Sequence, residues 1–204
     1  MTVKLLKAGI FGVSEAILRG PHMGTFSAFY APVAAAVLVV AGCGGGHDNG
    51  GGKTVDEYVK QECAFMADFA GKFQKLLHEY TVNAVNATKS AANQTALADT
   101  VDAIGNLYDD FRVKSKELGD SPTGEDRGDD AEAVVKTAIA QFHNIASSIR
   151  VATTASDLEA AAAKIPQLAE RMVKQGAEMK AKNPTPKLDE ARKAVPGCSE
   201  LFGG

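Results

Sequence analysis

Few residues of this chain are suited to chemistry: three cysteines and four histidines among 204 residues. Of the histidines, His78 and His143 fall in segments with helical periodicity. Di-iron helical bundles use a Glu-x-x-His arrangement, because a carboxylate and an imidazole one turn apart grip the same metal. Here the residues three before His78 and His143 are Lys75 and Ala140. No His-x-x-x-His pair and no Cys-x-x-Cys-His haem attachment sequence occurs. Each histidine follows a leucine or an aromatic residue, so a boundary position beside a core is the expectation. No Gly-x-Ser-x-Gly elbow marks an activated serine. The acidic stretch Asp120 to Asp130 lacks the alternating acids and terminal Glu of a calcium loop. It reads as a solvated loop whose acids favour the N-terminus of the following helix. Arg127-Gly128-Asp129 is too common a tripeptide to carry weight, and the sequons at Asn86 and Asn93 would mean little in a bacterial host. The expectation is therefore no catalytic residue, no metal and no cofactor.

Cys43 has a different setting. Lys4, Lys7 and Arg19 provide a positive segment, followed by an apolar run from Phe26 to Val40 without a charge. About 20 apolar residues span a bilayer, so this run is short for a permanent membrane helix. It ends in Val40-Ala41-Gly42-Cys43, which resembles the lipobox of bacterial lipoproteins. That resemblance implies cleavage between Gly42 and Cys43, a diacylglyceryl group on the Cys43 thiol, and acylation of the new amino terminus. Two or more acyl chains anchor stably where one binds only marginally. Residues 1–42 thus read as a signal peptide, longer than the usual 15–30 or so residues. Initiation near Val13 would shorten it and still retain Arg19.

Residues 43–53 follow as the lipidated cysteine and a glycine-rich tether, Gly44-Gly45-Gly46-His47-Asp48-Asn49-Gly50-Gly51-Gly52. Such a coil holds a domain on the order of 15–20 Å from its anchor. It lacks the Lys-Ser/Thr ending of a phosphate-binding loop.

Residues 54–204 have the patterning of one all-α domain. Thr54 with Glu57 forms a capping box ahead of apolar positions at Val55, Val59, Met66, Phe69, Phe73, Leu76, Leu77 and Tyr80. A second helix carries Leu97, Val101, Ile104, Leu107, Phe111 and Leu118. A third carries Val134, Val135, Ala138, Ile139, Phe142, Ile145 and Ile149. Ser156 with Glu159 predicts a second capping box, before a fourth helix through Leu158, Ile165, Leu168, Met172 and Met179. Pro166 should kink its first half. A short helix is expected from Leu188 to Ala194. Four amphipathic helices with short or modest connections favour an antiparallel four-helix bundle. Shifting the second helix by 61 residues lays Leu97, Ile104 and Leu107 on Leu158, Ile165 and Leu168, which suggests two αα-hairpin repeats.

With Cys43 lipidated, Cys63 and Cys198 remain. Cys63 shares the inward face of Val59, Met66 and Phe73, and Cys198 follows Pro196-Gly197, where the chain can bend back. An exported domain with two such cysteines is a disulfide candidate; the alternative is a pair of reduced, buried thiols.

The whole chain resembles the small lipoproteins of mycobacteria and related actinobacteria, a group largely without assigned reactions. The resemblance rests on Val40 to Cys43, the glycine tether, the Ala-rich bundle, a cysteine in the first helix and the closing Pro196 to Leu201. It implies the outer face of the cell membrane, with membrane lipid engaged through Cys43. The net charge of −3 has no basic stripe, so nucleic acid is not an expected partner. The function that follows is a membrane-anchored, extracytoplasmic, non-catalytic binding or scaffold module with an envelope protein partner. The alternative is a carrier holding a small apolar or lipid ligand in the bundle core. An envelope enzyme or metal-binding protein is the least favoured reading.

Overall fold

Helix α1 (Val55–Asn86) starts where the sequence places its capping box. Thr54 Oγ1 accepts from the Glu57 backbone N–H at 3.3 Å, and the Glu57 carboxylate accepts from the Thr54 N–H at 2.9 Å. Two of the donors that every helix start leaves unpaired are thereby satisfied. The computed structural model describes residues 52–125 and 128–202. Signal peptide, Cys43 and nearly all of the tether lie outside these residues.

A 3₁₀ turn (Ala87–Lys89) reverses the chain into α2 (Ala91–Leu118), capped by Ser90, whose Oγ accepts from the Asn93 N–H at 3.2 Å. Helix α2 stops at Gly119, where φ is +78°, a left-handed conformation that side chains rarely adopt. Helix α3 (Gly128–Val151) follows. The fourth arm is two helices, α4 (Ala155–Ala162) and α5 (Lys164–Lys182). The expected effect of Pro166 shows as an interruption at one residue, Ala163, which keeps near-helical dihedrals, φ −63° and ψ −15°. A helix running through would set the Pro166 ring against the Ala162 carbonyl. With α5 begun at Lys164, Pro166 falls in its first turn, where the missing N–H has no intrahelical acceptor to lose. Helix α6 (Pro186–Ala194) has proline at its first position, a favoured place for it. A single turn, α7 (Cys198–Leu201), follows Gly197, where φ is +77°.

These helices form an antiparallel bundle, with no strand among the described residues. Helix α2 is central and packs along both α1 and α3; α5 lies on α3, and α6 and α7 close against α1. Direction is read from side-chain pairs. Along α1 and α2, Phe65 meets Phe111, Phe73 meets Tyr108, and Asn83 meets Thr100. Along α2 and α3, Gln94 donates to the Ile149 carbonyl and Lys116 pairs with Glu132. Along α3 and α5, Gln141 accepts from Arg171 and Asp130 pairs with Lys182.

The core is one apolar cluster with aromatic rings at its centre. Phe69 touches Phe73, Tyr108 and Phe111 with ring centroids 5.0–5.9 Å apart, and Tyr108 stacks on Phe142 at 5.6 Å. The 61-residue echo holds in burial: Leu97, Ile104, Leu107 and Phe111 are buried, as are Leu158, Ile165, Leu168 and Met172. It fails in continuity, since α2 is unbroken where α4 and α5 are separate.

Candidate functional site

Glu62 and Cys63 are neighbours on α1, and each grips a different part of the C-terminal arm. Cys63 is joined to Cys198 of α7 by a disulfide with a Cα–Cα distance of 5.4 Å, inside the usual range for such bridges. Both cysteines are buried. The sequence expectation for this pair, inward Cys63 and returning Cys198, matches the placement. Glu62 faces Arg192 of α6. Arg192 Nε donates to Glu62 Oε2 at 2.9 Å and its Nη2 to Glu62 Oε1 at 2.6 Å, a two-pronged pair. Both side chains are almost wholly buried, at 1% and 2% exposure. The remaining guanidinium nitrogen donates to Asp189 at 2.7 Å and to Thr185 Oγ1 at 3.4 Å. Phe202 lays its ring over the guanidinium, 4.0 Å from centroid to carbon. Burial works against the charge on Arg192. The hydrogen bonds to Glu62 and Asp189 outweigh it and hold Arg192 more firmly protonated than usual.

Sequence reasoning missed this pair, although a signal was there. Glu62 sits four residues after Tyr58 and four before Met66, on the buried stripe of α1. Arg192 sits four after Leu188 on the buried side of α6. A charge inside an apolar stripe requires a partner of opposite sign.

A second polar cluster spans the α2–α3 seam. His143 Nδ1 and Asp102 Oδ1 lie 2.9 Å apart; a carboxylate only accepts, so Nδ1 carries the proton. Arg150 pairs with Asp102 Oδ2 and with Asp99. Burial pushes the Asp102 carboxyl up, but hydrogen bonds from His143 and Arg150 prevail and hold it below the usual carboxylate range. The imidazole lies on Gly105, where an added Cβ would stand 3.2 Å from His143 Cε1 and 3.2 Å from Phe142 Cβ. A carboxylate-oriented imidazole can hold or pass a proton at Nε2. Among the described residues, though, no group of three His, Cys, Asp or Glu side chains converges as a metal site. His78 is exposed on α1 while His143 is half-buried, so of the two histidines expected at the core boundary only His143 sits there. His143 is held in the seam.

Asp129 and Asp130 stand in the first turn of α3, where the sequence expects loop acids, while Glu125 is used elsewhere. Glu125 reaches past α3 to cap α6, accepting from the backbone N–H groups of Lys187 at 3.0 Å and Leu188 at 3.1 Å. Asp130 pairs with Lys182. An orphaned helix start 62 residues downstream competes for the carboxylate, and no local spacing announces it. Arg127 lies outside the described residues. Within α3, Glu132 draws Lys116 at 2.7 Å, Lys136 at 2.9 Å and Arg112 at 3.6 Å. The ammonium groups of Lys116 and then Lys136 outweigh burial and hold its carboxyl down at about 2.

Gly42 and Cys43, the expected cleavage and lipidation residues, lie outside the described residues. Compared with protein-family models, curated proteins and solved structures, the chain matches none.

Proposed function

We propose that this protein is an extracytoplasmic lipoprotein, anchored to the cell membrane through a diacylglyceryl group on Cys43. On this reading its helical domain is a non-catalytic binding or scaffold module of the cell envelope. The observation that carries the reading is the sequence Val40-Ala41-Gly42-Cys43, set a short glycine-rich stretch ahead of a helix with its own capping box. The described fold makes its first long-range bond at Lys53, whose Nζ donates to the Leu118 carbonyl at 2.9 Å. That bond sets Lys53, the last residue of the proposed tether, beside the C-terminal end of α2 and the start of α1. No helix among the described residues is long and apolar enough to cross a membrane.

Support for a module without catalysis comes from how the polar groups are used. Glu62, Arg192, Asp102, His143 and Glu132 each join one helix to another. The aromatic contacts among Phe65, Phe69, Phe73, Tyr108, Phe111 and Phe142 tie α1, α2 and α3 together. This favours a rigid module over the carrier reading.

Anchoring is tested by expressing the full chain in a bacterium and measuring membrane partition and the mass of the N-terminal peptide. A lipid-modified Cys43 at the amino terminus, lost with Cys43→Ala together with membrane association, is the expected result. A Cys43→Ala protein that stays membrane-bound with unchanged N-terminal mass ends the proposal. Crosslinking in intact cells then tests the module, through a protein captured by the anchored form.

A further inference from the structure

We infer that α6 and α7 form a latch that shields the Cys63–Cys198 disulfide from thiols, and that the Glu62–Arg192 pair keeps this latch closed. The geometry places the two fastenings side by side. Consecutive residues of α1 hold Arg192 and Cys198, which are separated by the last two residues of α6 and the bend at Val195 to Gly197. Phe202, after the single turn of α7, covers the guanidinium from the far side. The arm is therefore fastened twice at one end of the bundle, once by a covalent bond and once by a buried ion pair.

Burial decides the chemistry open to the disulfide. An incoming thiolate must reach one sulfur in line with the S–S bond, and both cysteines are covered. Reduction by a dithiol therefore requires the arm to lift first. One thiolate of the reagent attacks a sulfur and forms a mixed disulfide, releasing the other cysteine as a thiolate. The second reagent thiol then displaces the remaining cysteine. The reagent leaves as a disulfide, and Cys63 and Cys198 gain two electrons and two protons between them. Lifting the arm also separates Arg192 from Glu62 and opens both charges to water. Removing Arg192 alone leaves Glu62 buried without its counter-charge while the arm is down, which favours the lifted state. Replacing both charges by apolar side chains of similar volume removes that conflict, and such exchanges are often neutral or stabilising. The latch thus links arm position to thiol exposure, a redox-sensitive device at the end of the bundle nearest the tether.

The test uses the full chain carrying Cys43→Ala, so that only Cys63 and Cys198 can react, and follows reduction by dithiothreitol with alkylation and intact mass. The native protein should be reduced at least about a hundredfold more slowly than the same chain unfolded in guanidinium. Arg192→Met should speed reduction about tenfold or more, and Glu62→Met with Arg192→Met should return the rate toward that of the parent. Should Arg192→Met fail to fold, amide exchange on the parent replaces it. Residues of α6 and α7 are then expected to exchange before those of α2 and α3, and faster once the disulfide is reduced. Native and unfolded chains reduced at similar rates would overturn the latch. So would a folded Arg192→Met variant reduced no faster than the parent, or α6 and α7 exchanging no earlier than α2 and α3.

Discussion

Asp102 of α2 accepts from His143 Nδ1 of α3 at 2.9 Å, and the imidazole edge rests against the backbone of Gly105. The contact needs a residue without a Cβ one turn along from the acid. Glycine inside a helix ordinarily costs about 1 kcal/mol relative to alanine. Gly105→Ala would recover that amount, but its methyl would meet Phe142 Cβ and His143 Cε1, each at 3.2 Å. The Phe142 Cβ is fixed to the α3 backbone and cannot swing aside. The α3 backbone at Phe142 must therefore shift by a few tenths of an ångström against α2. Gly105→Ala is expected to lower the melting temperature despite its better helix propensity. A rise in thermal denaturation would show that the seam has slack.

Glu132 contributes to the acid limb of stability. Its carboxyl is held at about 2 in the fold, against 4.5 for a free one, first through Lys116 and then Lys136. The unfolded chain therefore binds a proton to this group at higher pH than the native chain does. The stabilising contribution is complete above about 4.5 and is lost as pH falls through that value toward about 2. Denaturant titrations across this window should show a shallower pH dependence for Glu132→Gln than for the parent. Equal slopes would mean that the lysines do not hold the carboxylate in solution.

The long helices were legible because apolar spacing at 3.6 residues depends only on the chain itself. Phe69, Phe73 and Phe111 had to share an interior once their helices were antiparallel, and they do, joined by Tyr108, which the apolar spacing did not pick out. The disulfide was legible from an inward position and a bend. What the sequence withheld were the partners: Arg192 for Glu62, and the start of α6 for Glu125. Each lies more than 60 residues from its mate, and pairing at that range is decided by how the arm folds back. His143 and Asp102, 41 residues apart on adjacent helices, follow the same rule.

Phe69 is the hub of the aromatic centre, touching Phe73, Tyr108 and Phe111 from one side chain. Truncation there removes transfer energy and leaves a cavity that three rigid rings cannot collapse into. Phe69→Ala should cost about 3–5 kcal/mol by chemical denaturation. A cost below about 1.5 kcal/mol would indicate a loosely packed centre, and would revive the reading in which the core accommodates a ligand.

The start of α4 offers a contest between two hydroxyls. Ser156 with Glu159 has the spacing of a capping box, yet the structure begins the helix two residues earlier. Thr154 occupies the cap in an extended conformation, φ −123° and ψ 158°. Its Oγ1 accepts from the Asp157 N–H at 3.1 Å, while the Asp157 carboxylate takes the Thr154 N–H at 3.2 Å and its hydroxyl at 2.8 Å. Thr153 adds a longer contact to the same carboxylate, 3.5 Å. Two consecutive threonines thus converge on one acid, and the earlier start brings Leu158 into the core. Ser156 is left exposed within the first turn. Thr154→Ala should therefore cost about 1 kcal/mol, as loss of a cap usually does, and Ser156→Ala almost nothing. The reverse order in denaturation midpoints would place the helix start at Ser156 in solution.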